Sequence, residues 1–470
     1  SALLAGNRNN NGNFNNLGNN TNFWSSTENN AANAYNLNLW NNDSNINVNN
    51  NNKENGFSVR CLEDSKQKIL LLFLLTMESN LLEDLFTAYF DARKNKRNTM
   101  NALKFELNYE SNLFRLYKDI VSKRYEISGS ICFINFSPVQ REIFAADFRD
   151  RIVHHLVFNY INPIFEKIFM NDSYSCRKNR GTHYGIKRIR KFISQCSANY
   201  SKDCYIMKLD IEGYFMNMDR ELLYGKVIDG LKNNKEKIGC DFELLTFLLQ
   251  KIIFNDPTTN CNVKGKKSDW LGLPESKSLF CADEGRGFPI GNLTSQLFGN
   301  IYLNSLDHYI KQELKIKYFG RYVDDFILIH TDKNYLLECR QKISEYLSKS
   351  LYLKLHPRKF YLQHFMKGVQ FLGVYLKPFR VYIGIRTKTN FYKNLKYWHN
   401  LIECSKRMLP DGGTLLLRAQ VNSSLGLMAH FNTFNLRRKF MDILKNSAFS
   451  PSFIINERCS KVMLQKLSYF

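Results

Sequence analysis

The chain is short of acids, of patterned cysteines and of long apolar runs. Its 43 Asp and Glu stand against 66 Lys and Arg, a formal charge of +23 over 470 residues. The shortage is confined to the body: residues 1–63 hold 3 bases and 4 acids, whereas residues 64–470 hold 63 bases and 39 acids. A surplus of that size points to a polyanionic partner, nucleic acid before a membrane surface. The alternative is a merely basic protein with no such partner. The eleven cysteines form no C-x-x-C pair and no regular spacing. That argues against a zinc module or a disulfide framework and fits a reducing cytoplasm. The apolar run "ILLLFLL" at 69–75 has seven residues, too few to cross a bilayer, so no membrane partner is expected. No signal peptide is visible in the opening residues, and no internal repeat stands out.

What is abundant at the front is asparagine, 24 of the first 60 residues. Residues 1–63 therefore read as a low-complexity segment without fixed structure. Residues 64–80 are a Leu-rich bridge with a candidate natural start at Met77. From residue 81 the periodicity becomes helical, as in "NLLEDLFTAYFDARKNKR" and "ALKFELNYESNLFRLYKDIVSKR". "DFRDRIVHHLVFNYINPIFEKIF" reads as a further helix interrupted by Pro163, with His154 and His155 as structural helix residues. "CYIMKLDI" is a buried strand ending on an acid, and "YFGRYVDDFILIH" is a pair of strands around an acidic turn. A Gly/Pro/Lys/Ser-rich stretch, 255–286, inserts between helices, and helical periodicity returns after about residue 380. The fold class is α+β with a helical appendage.

Two acids in a turn are commonplace, because Asp favours turns. Here both flanks of Asp324 and Asp325 are apolar, β-branched or aromatic, so a buried sheet holds the turn. Asp210 ends the apolar strand "YIMKL". If the two elements are neighbours, three carboxylates converge at one sheet edge. Mg²⁺ takes hard oxygen ligands, one or two carboxylates with substrate phosphates completing the octahedron. Two such ions about 3.5–4 Å apart activate an attacking oxygen and stabilise a departing pyrophosphate. A basic body with this cluster points to nucleotidyl transfer on nucleic acid.

"YVDD" (322–325) after "LDIEGYF" (209–215) resembles the palm of reverse transcriptases, and the resemblance extends from about residue 80 to the end. It implies a right-hand polymerase: N-terminal helices and fingers at 81–200, a palm of antiparallel sheet plus helices of split βαβ type at 201–380, and a helical thumb at 381–470. It implies Asp210 and Asp324 as catalytic metal ligands with the Ile211 carbonyl beside them, Asp325 close to the metal, and two Mg²⁺ ions, with Mn²⁺ a possible substitute. Phe215 falls at the family's steric gate, where a ring excludes a ribose 2′-OH; the alternative is a core aromatic. "REIFAADFRDRIVHHLVF" and "SYSCRKNRGTHYGI" resemble the fingers, placing Arg141 and Arg177 by the incoming triphosphate and Arg180 by the template. Lys359 in "LHPRKF" matches a general acid toward pyrophosphate, or else a plain phosphate-binding or surface lysine. "FLGVYL", with Leu372 and Gly373, resembles the primer grip. "LRRKF" offers Arg437, Arg438 and Lys439 to backbone phosphates.

"GFPIGNLTSQLFGNIYLN" (287–304) resembles the helix entry that supports the nascent base pair, with Gly287, Gly291 and Ser295 along it. Group II intron and retron enzymes place Gln where Ile290 stands and Pro where Gln296 stands. With those replacements, "WLGLPESKSLF" (270–280) and "SSLGLMAHFNTFNLRRKF" (423–440), the chain is similar to the reverse transcriptases of diversity-generating retroelements. The resemblance implies an error-prone RNA-templated DNA polymerase acting with dNTPs. It would copy a structured template-repeat RNA through a cDNA/RNA duplex into adenine-mutagenised cDNA for retrohoming. It also implies a pentameric accessory variability determinant and a bacterial or phage-encoded, cytoplasmic ribonucleoprotein. The apolar faces at 81–120 offer a contact for that partner, with core packing the simpler use.

No HNH-type or RNase H-type acid set follows the thumb, which disfavours a maturase carrying its own nuclease. Other readings are a retron, abortive-infection or group II enzyme, an RNA-binding protein with a dead palm, and a lectin-like display domain suggested by the first 60 residues alone. "NFWSSTENNAANAYNLNLW" and "NNNNKENGFSVRC" resemble the variable region of C-type-lectin-fold targets of such elements. Their diversified codons are commonly AAY, encoding Asn. Residues 1–62 would then be a template repeat read in frame; the alternative is an ordinary Asn-rich tail.

Overall fold

The computed structural model describes residues 7–8, 14–15, 20–28, 30–40, 46–53, 55, 79–94, 96–97, 99–136, 139–404, 413–445 and 453–464. The chain divides into two units, Ser1–Asn80 and Leu81–Phe470. In the first, where composition argues for little fixed structure, the described residues pair locally. Asn20–Glu28, Asn33–Trp40 and Ile46–Asn52 form an antiparallel meander in that order. The proposed start, Met77, and most of the Leu-rich bridge lie outside the described residues.

The second unit is built on a four-stranded antiparallel sheet. Numbering strands within this unit, β1 is Ser130–Asn135, β2 Arg141–Ala145, β3 Tyr205–Asp210, β4 Cys261–Val263, β5 Tyr318–Tyr322, β6 Asp325–His330 and β7 Tyr361–His364. The sheet order is β5-β6-β3-β7. Ile206, Met207 and Leu209 of β3 and Phe326 to Ile329 of β6 are all buried. Burial on successive residues means that both faces of the sheet are covered, which is why these strands read as continuous apolar runs rather than as alternation. Helix α1, Thr182–Cys196, packs on one side through Ile186, Ile189, Phe192 and Ile193. At about 1.5–3 kcal/mol per fully buried aliphatic or aromatic side chain, this double burial fixes the register of the sheet edge that carries the acids.

A second sheet joins β2, β1 and β4, the last pair parallel. Phe148–Ile168 is one continuous helix, so the interruption expected at Pro163 is absent. Ile161, Ile164 and Phe165 around the proline are buried, and their packing offsets the roughly 3 kcal/mol that a mid-helix proline costs. Beyond residue 380 helices Ile385–Cys404, Gly413–Ala429 and Phe434–Lys445 follow as expected. The chain then adds an unforeseen hairpin, Phe453–Ile455 with Val462–Leu464. It docks on the helices through Val462, whose amide donates to Asn422 Oδ1 at 2.7 Å.

Candidate active site

The acids meet because β3 and β6 are neighbours. Asp325 pairs opposite Asp210 in register, and paired residues of an antiparallel ladder share a face. The hairpin turns on Val323 and Asp324 between the paired Tyr322 and Asp325. Past the strand end, the Ile211 amide donates to the Asp324 carbonyl at 3.2 Å, and the His356 amide donates to the Asp210 carbonyl at 2.8 Å. Val323 adopts φ 57°, unusual for a β-branched residue and worth about 1–3 kcal/mol of strain. What holds it is Arg321, fully buried, whose guanidinium donates to the Val323 carbonyl at 2.9 Å. The same group bonds both Asp307 oxygens at 2.7 and 2.6 Å and the Ser173 hydroxyl at 3.1 Å. Sequence reading missed Arg321 and Asp307; the oddity of an arginine inside an apolar strand was the available signal.

Each of two acids has a lysine. Lys359 Nζ donates to both Asp210 oxygens at 2.9 and 3.0 Å, and Lys208 Nζ lies 3.0 Å from Asp325 Oδ2. The other Asp325 oxygen, Oδ1, is buried without a hydrogen-bond partner. Burial pushes the Asp325 carboxyl up to about 6 against the pull of Lys208. Burial, then the nearby Asp210 charge, pushes Asp324 up as well, opposed by Lys359 and Arg141. Among the described residues no three His, Cys, Asp or Glu side chains close into a protein-only metal cage. A crowded set of hard oxygens with an orphaned one among them is instead suited to a cation completed by substrate phosphates.

Phe215 is half-buried over Gly299, where a Cβ would lie 3.4 Å from its ring. Its carbonyl accepts from the Phe288 amide at 2.8 Å, and the Gly287 amide donates to the Met218 carbonyl at 2.9 Å. Gly287 has φ +89°, and a Cβ there would strike Leu279 Cδ1 at 2.6 Å. Gly291 has φ +134°, with a Cβ site 2.8 Å from the Phe144 carbonyl. The Phe144 amide donates to the Ile290 carbonyl at 2.9 Å, so the segment 287–291 is stitched to both β2 and the Phe215 loop. Ser295 is buried and Gln296 exposed in the following helix, Leu293–His308. A cleft of about 320 Å³ opens there, lined by Gln296, Gly291, Arg151, His155 and Lys96. His154 bonds Thr294 at 2.7 Å, and burial pushes its pKa down to about 3, so it is neutral.

The basic residues divide. Arg141 is exposed and acts on Asp324 through its charge. Arg177, read from sequence as a triphosphate ligand, turns inward: its guanidinium lies 2.7 Å from Glu166 and donates to the Met170 and Ser173 carbonyls at 2.6 and 2.9 Å. Arg180 bonds Asn171 at 3.1 Å and the Tyr184 hydroxyl, and stacks on the Tyr184 ring. Arg437, read as a phosphate contact, is also buried, bonding the Arg458 and Cys459 carbonyls and the Thr433 hydroxyl. Arg438 and Lys439 beside it are exposed. Leu372 and Gly373 form the two-residue turn of the hairpin Val369–Phe371/Val374–Lys377, both at positive φ. Leu372 packs into the core beside Tyr174 and Ile186.

Residues 140–376, about half the chain, match the family model for reverse transcriptase (RNA-dependent DNA polymerase). Among curated proteins, Protein YkfC of Escherichia coli strain K12 is 25% identical over 257 residues, 48% of this chain and 60% of that protein. Nuclear intron maturase 1, mitochondrial, of Arabidopsis thaliana is 23% identical over 213 residues, 38% of this chain and 28% of that protein. The chain thus spans less than two thirds of either relative. Among solved structures, apo telomerase of Candida tropicalis truncated from its C-terminal domain has TM-score 0.39 and 14% identity, covering 57% of this chain and 59% of that one. Telomerase of Candida albicans with a fragment of telomeric RNA has TM-score 0.39 and 12% identity, covering 73% and 60%.

Proposed function

This chain belongs to the reverse transcriptase family, and from that premise we propose that it is an RNA-directed DNA polymerase, the error-prone enzyme of a diversity-generating retroelement. The observation that carries its chemistry is the register of Asp210 against Asp325 with Asp324 at the turn between strands. Divalent metal is general to the family; here Asp210, Asp324, Asp325 and the Ile211 carbonyl would hold two Mg²⁺ or Mn²⁺. When bound, such ions favour the deprotonated primer 3′-hydroxyl and neutralise charge on the leaving pyrophosphate.

The chain's own residues do the rest. Lys359, half exposed and resting on Asp210, is placed to hand a proton to pyrophosphate. Arg141 attracts the triphosphate; Arg177 is left out of that role because its donors are taken. Phe215, backed by Gly299, selects against a ribose 2′-OH by volume. Gly287, Gly291, Ile290, Ser295 and Gln296 form the entry that carries the nascent base pair. Leu372, Gly373 and Arg180 lie along the primer and template path, and Arg438 and Lys439 supply phosphate contacts without sequence readout.

The retroelement assignment draws on Ile290 and Gln296 and on the Asn-rich residues 1–62, read as a translated template repeat. Restoring glutamine, Ile290→Gln, is expected to change misincorporation opposite template adenine in primer extension; an unaltered error spectrum refutes the role of that wall. Deleting residues 1–76 is expected to leave polymerisation on a generic template within about twofold, since no catalytic group lies there; lost incorporation with an intact fold refutes the read-through idea. The partner reading is a structured template-repeat RNA and a pentameric basic accessory protein. Co-purification with the neighbouring transcript and partner, then sequencing of the cDNA, tests the whole reading. The second reading, an enzyme of retron, abortive-infection or group II type, draws on the likeness to an intron maturase. It predicts cDNA without an excess of errors at adenine.

A further inference from the structure

Glu142 is a carboxylate that the reaction above does not use, yet it is 1% exposed. Three donors converge on it: Trp270 Nε1 at 2.7 Å and the Ser278 hydroxyl at 2.9 Å on one oxygen, and the Leu279 amide at 2.6 Å on the other. All three belong to the stretch 255–286 inserted ahead of the nascent-pair segment. Two residues earlier, Gln140 donates from Nε2 to the carbonyls of Asp269 and Leu271 at 2.8 and 3.1 Å. Arg141 lies between these two anchors and, by strand alternation, on the opposite face, where it acts on Asp324.

What the anchored insertion touches is the wall of the nucleotide site. Leu279 packs with Phe144 and Met216 in one cluster, against which Phe215, Trp270 and Ile290 lie half-buried. The Ser276 carbonyl approaches Gly213 so closely that a Cβ there would be 2.7 Å away, directly ahead of the Phe215 helix. Leu279 Cδ1 likewise lies only 2.6 Å from where a Cβ at Gly287 would sit.

We propose that the insertion, locked by Glu142, positions the nucleotide-selecting wall made by Phe215 and Ile290, so that Glu142 is a positioning residue for nucleotide choice. This rests on the reading of Phe215 as the ribose gate. A carboxylate suits the post because it offers only acceptors to three donors, and charge-assisted bonds are about twice as strong as neutral ones. Its burial on the strand that also bears Arg141 couples the gate and the triphosphate contact to one anchor.

The test is steady-state incorporation of dTTP and UTP on one poly(A) template by the full chain, with melting followed in parallel. Glu142→Gln presents one amide oxygen and one NH₂ to three donors, so at least one donor is left without an acceptor. The expected result is a KM for dTTP raised about tenfold with kcat within about threefold, and dTTP-over-UTP preference lowered about tenfold. Ser278→Ala, which removes one bond only, is expected to shift the preference in the same direction by a smaller factor and to fold even where Glu142→Gln does not. Phe215→Ala is the control for the gate. If Phe215→Ala collapses the preference while Glu142→Gln and Ser278→Ala only lower the melting temperature, the positioning role is overturned and the gate stands. If Phe215→Ala leaves the preference unchanged, both fall.

Discussion

Asp324→Asn is expected to cut dNTP incorporation by at least about a thousandfold, because the substitution removes a charged oxygen from the sheet edge where Asp210 and Asp325 pair in register. The same change is expected not to destabilise the fold. Burial and Asp210 both oppose the ionised Asp324, so an amide of equal shape relieves the native state. Asp325→Asn sharpens the point, since that carboxyl is pushed up to about 6 from 3.8. A raised folded pKa means that the native state binds the proton more tightly than the unfolded chain does. The associated stability is fully present below pH about 4 and is lost as pH rises toward about 6. At pH 7 the ionised group therefore costs the fold on the order of 1–2 kcal/mol, after discounting its Lys208 partner and partial exposure. Urea melts should find Asp325→Asn more stable than the parent at pH 7 and nearly equal at pH 4. A variant less stable at both pH values would show that the carboxylates support the fold rather than strain it.

Arg321→Met is expected to cost about 3–5 kcal/mol, the usual result of leaving one member of a buried ion pair alone. The partner left behind is Asp307, fully buried. The double variant Arg321→Met, Asp307→Leu removes both charges, and is expected to recover most of that stability. Activity should not return with it, because the Val323 carbonyl still lacks the donor that holds the turn in its left-handed conformation. Chemical denaturation and primer extension on the three proteins separate the two contributions. Recovery of stability and activity together would reduce Arg321 to a core residue.

Much of the site was legible because it is local. The strand before Asp210, the hairpin around Asp324 and the glycines at 287 and 291 are fixed by apolar runs, turn chemistry and close approach, all visible within a few residues. Side-chain direction was not. Arg177 and Arg437 carry the same letter as Arg141 and Arg438, and only tertiary partners decide between them. Glu166 and two carbonyls claim the first, and the carbonyls of 458 and 459, on the unforeseen hairpin, claim the second. Glu142 was unreadable for the same reason, its donors lying about 130 residues downstream. Pro163 misled because a local rule was overruled by burial on both sides.

The asparagine meander of residues 20–52 has its own physical consequence. Its central strand bonds both neighbours, and Asn51 Nδ2 reaches Asn36 Oδ1 at 2.7 Å across the ladder. Within that unit neither outer strand pairs with a further described strand. Ile46–Asn52 carries no charge and no proline, and alternates aliphatic with amide side chains at its start. Such an edge is a template for intermolecular strand addition, and amide ladders reinforce the stacking. The segment least concerned with catalysis is thus expected to set the colloidal behaviour of the protein: the full chain should form thioflavin-positive fibrils sooner than a chain lacking residues 1–76, and equal lag times would refute this.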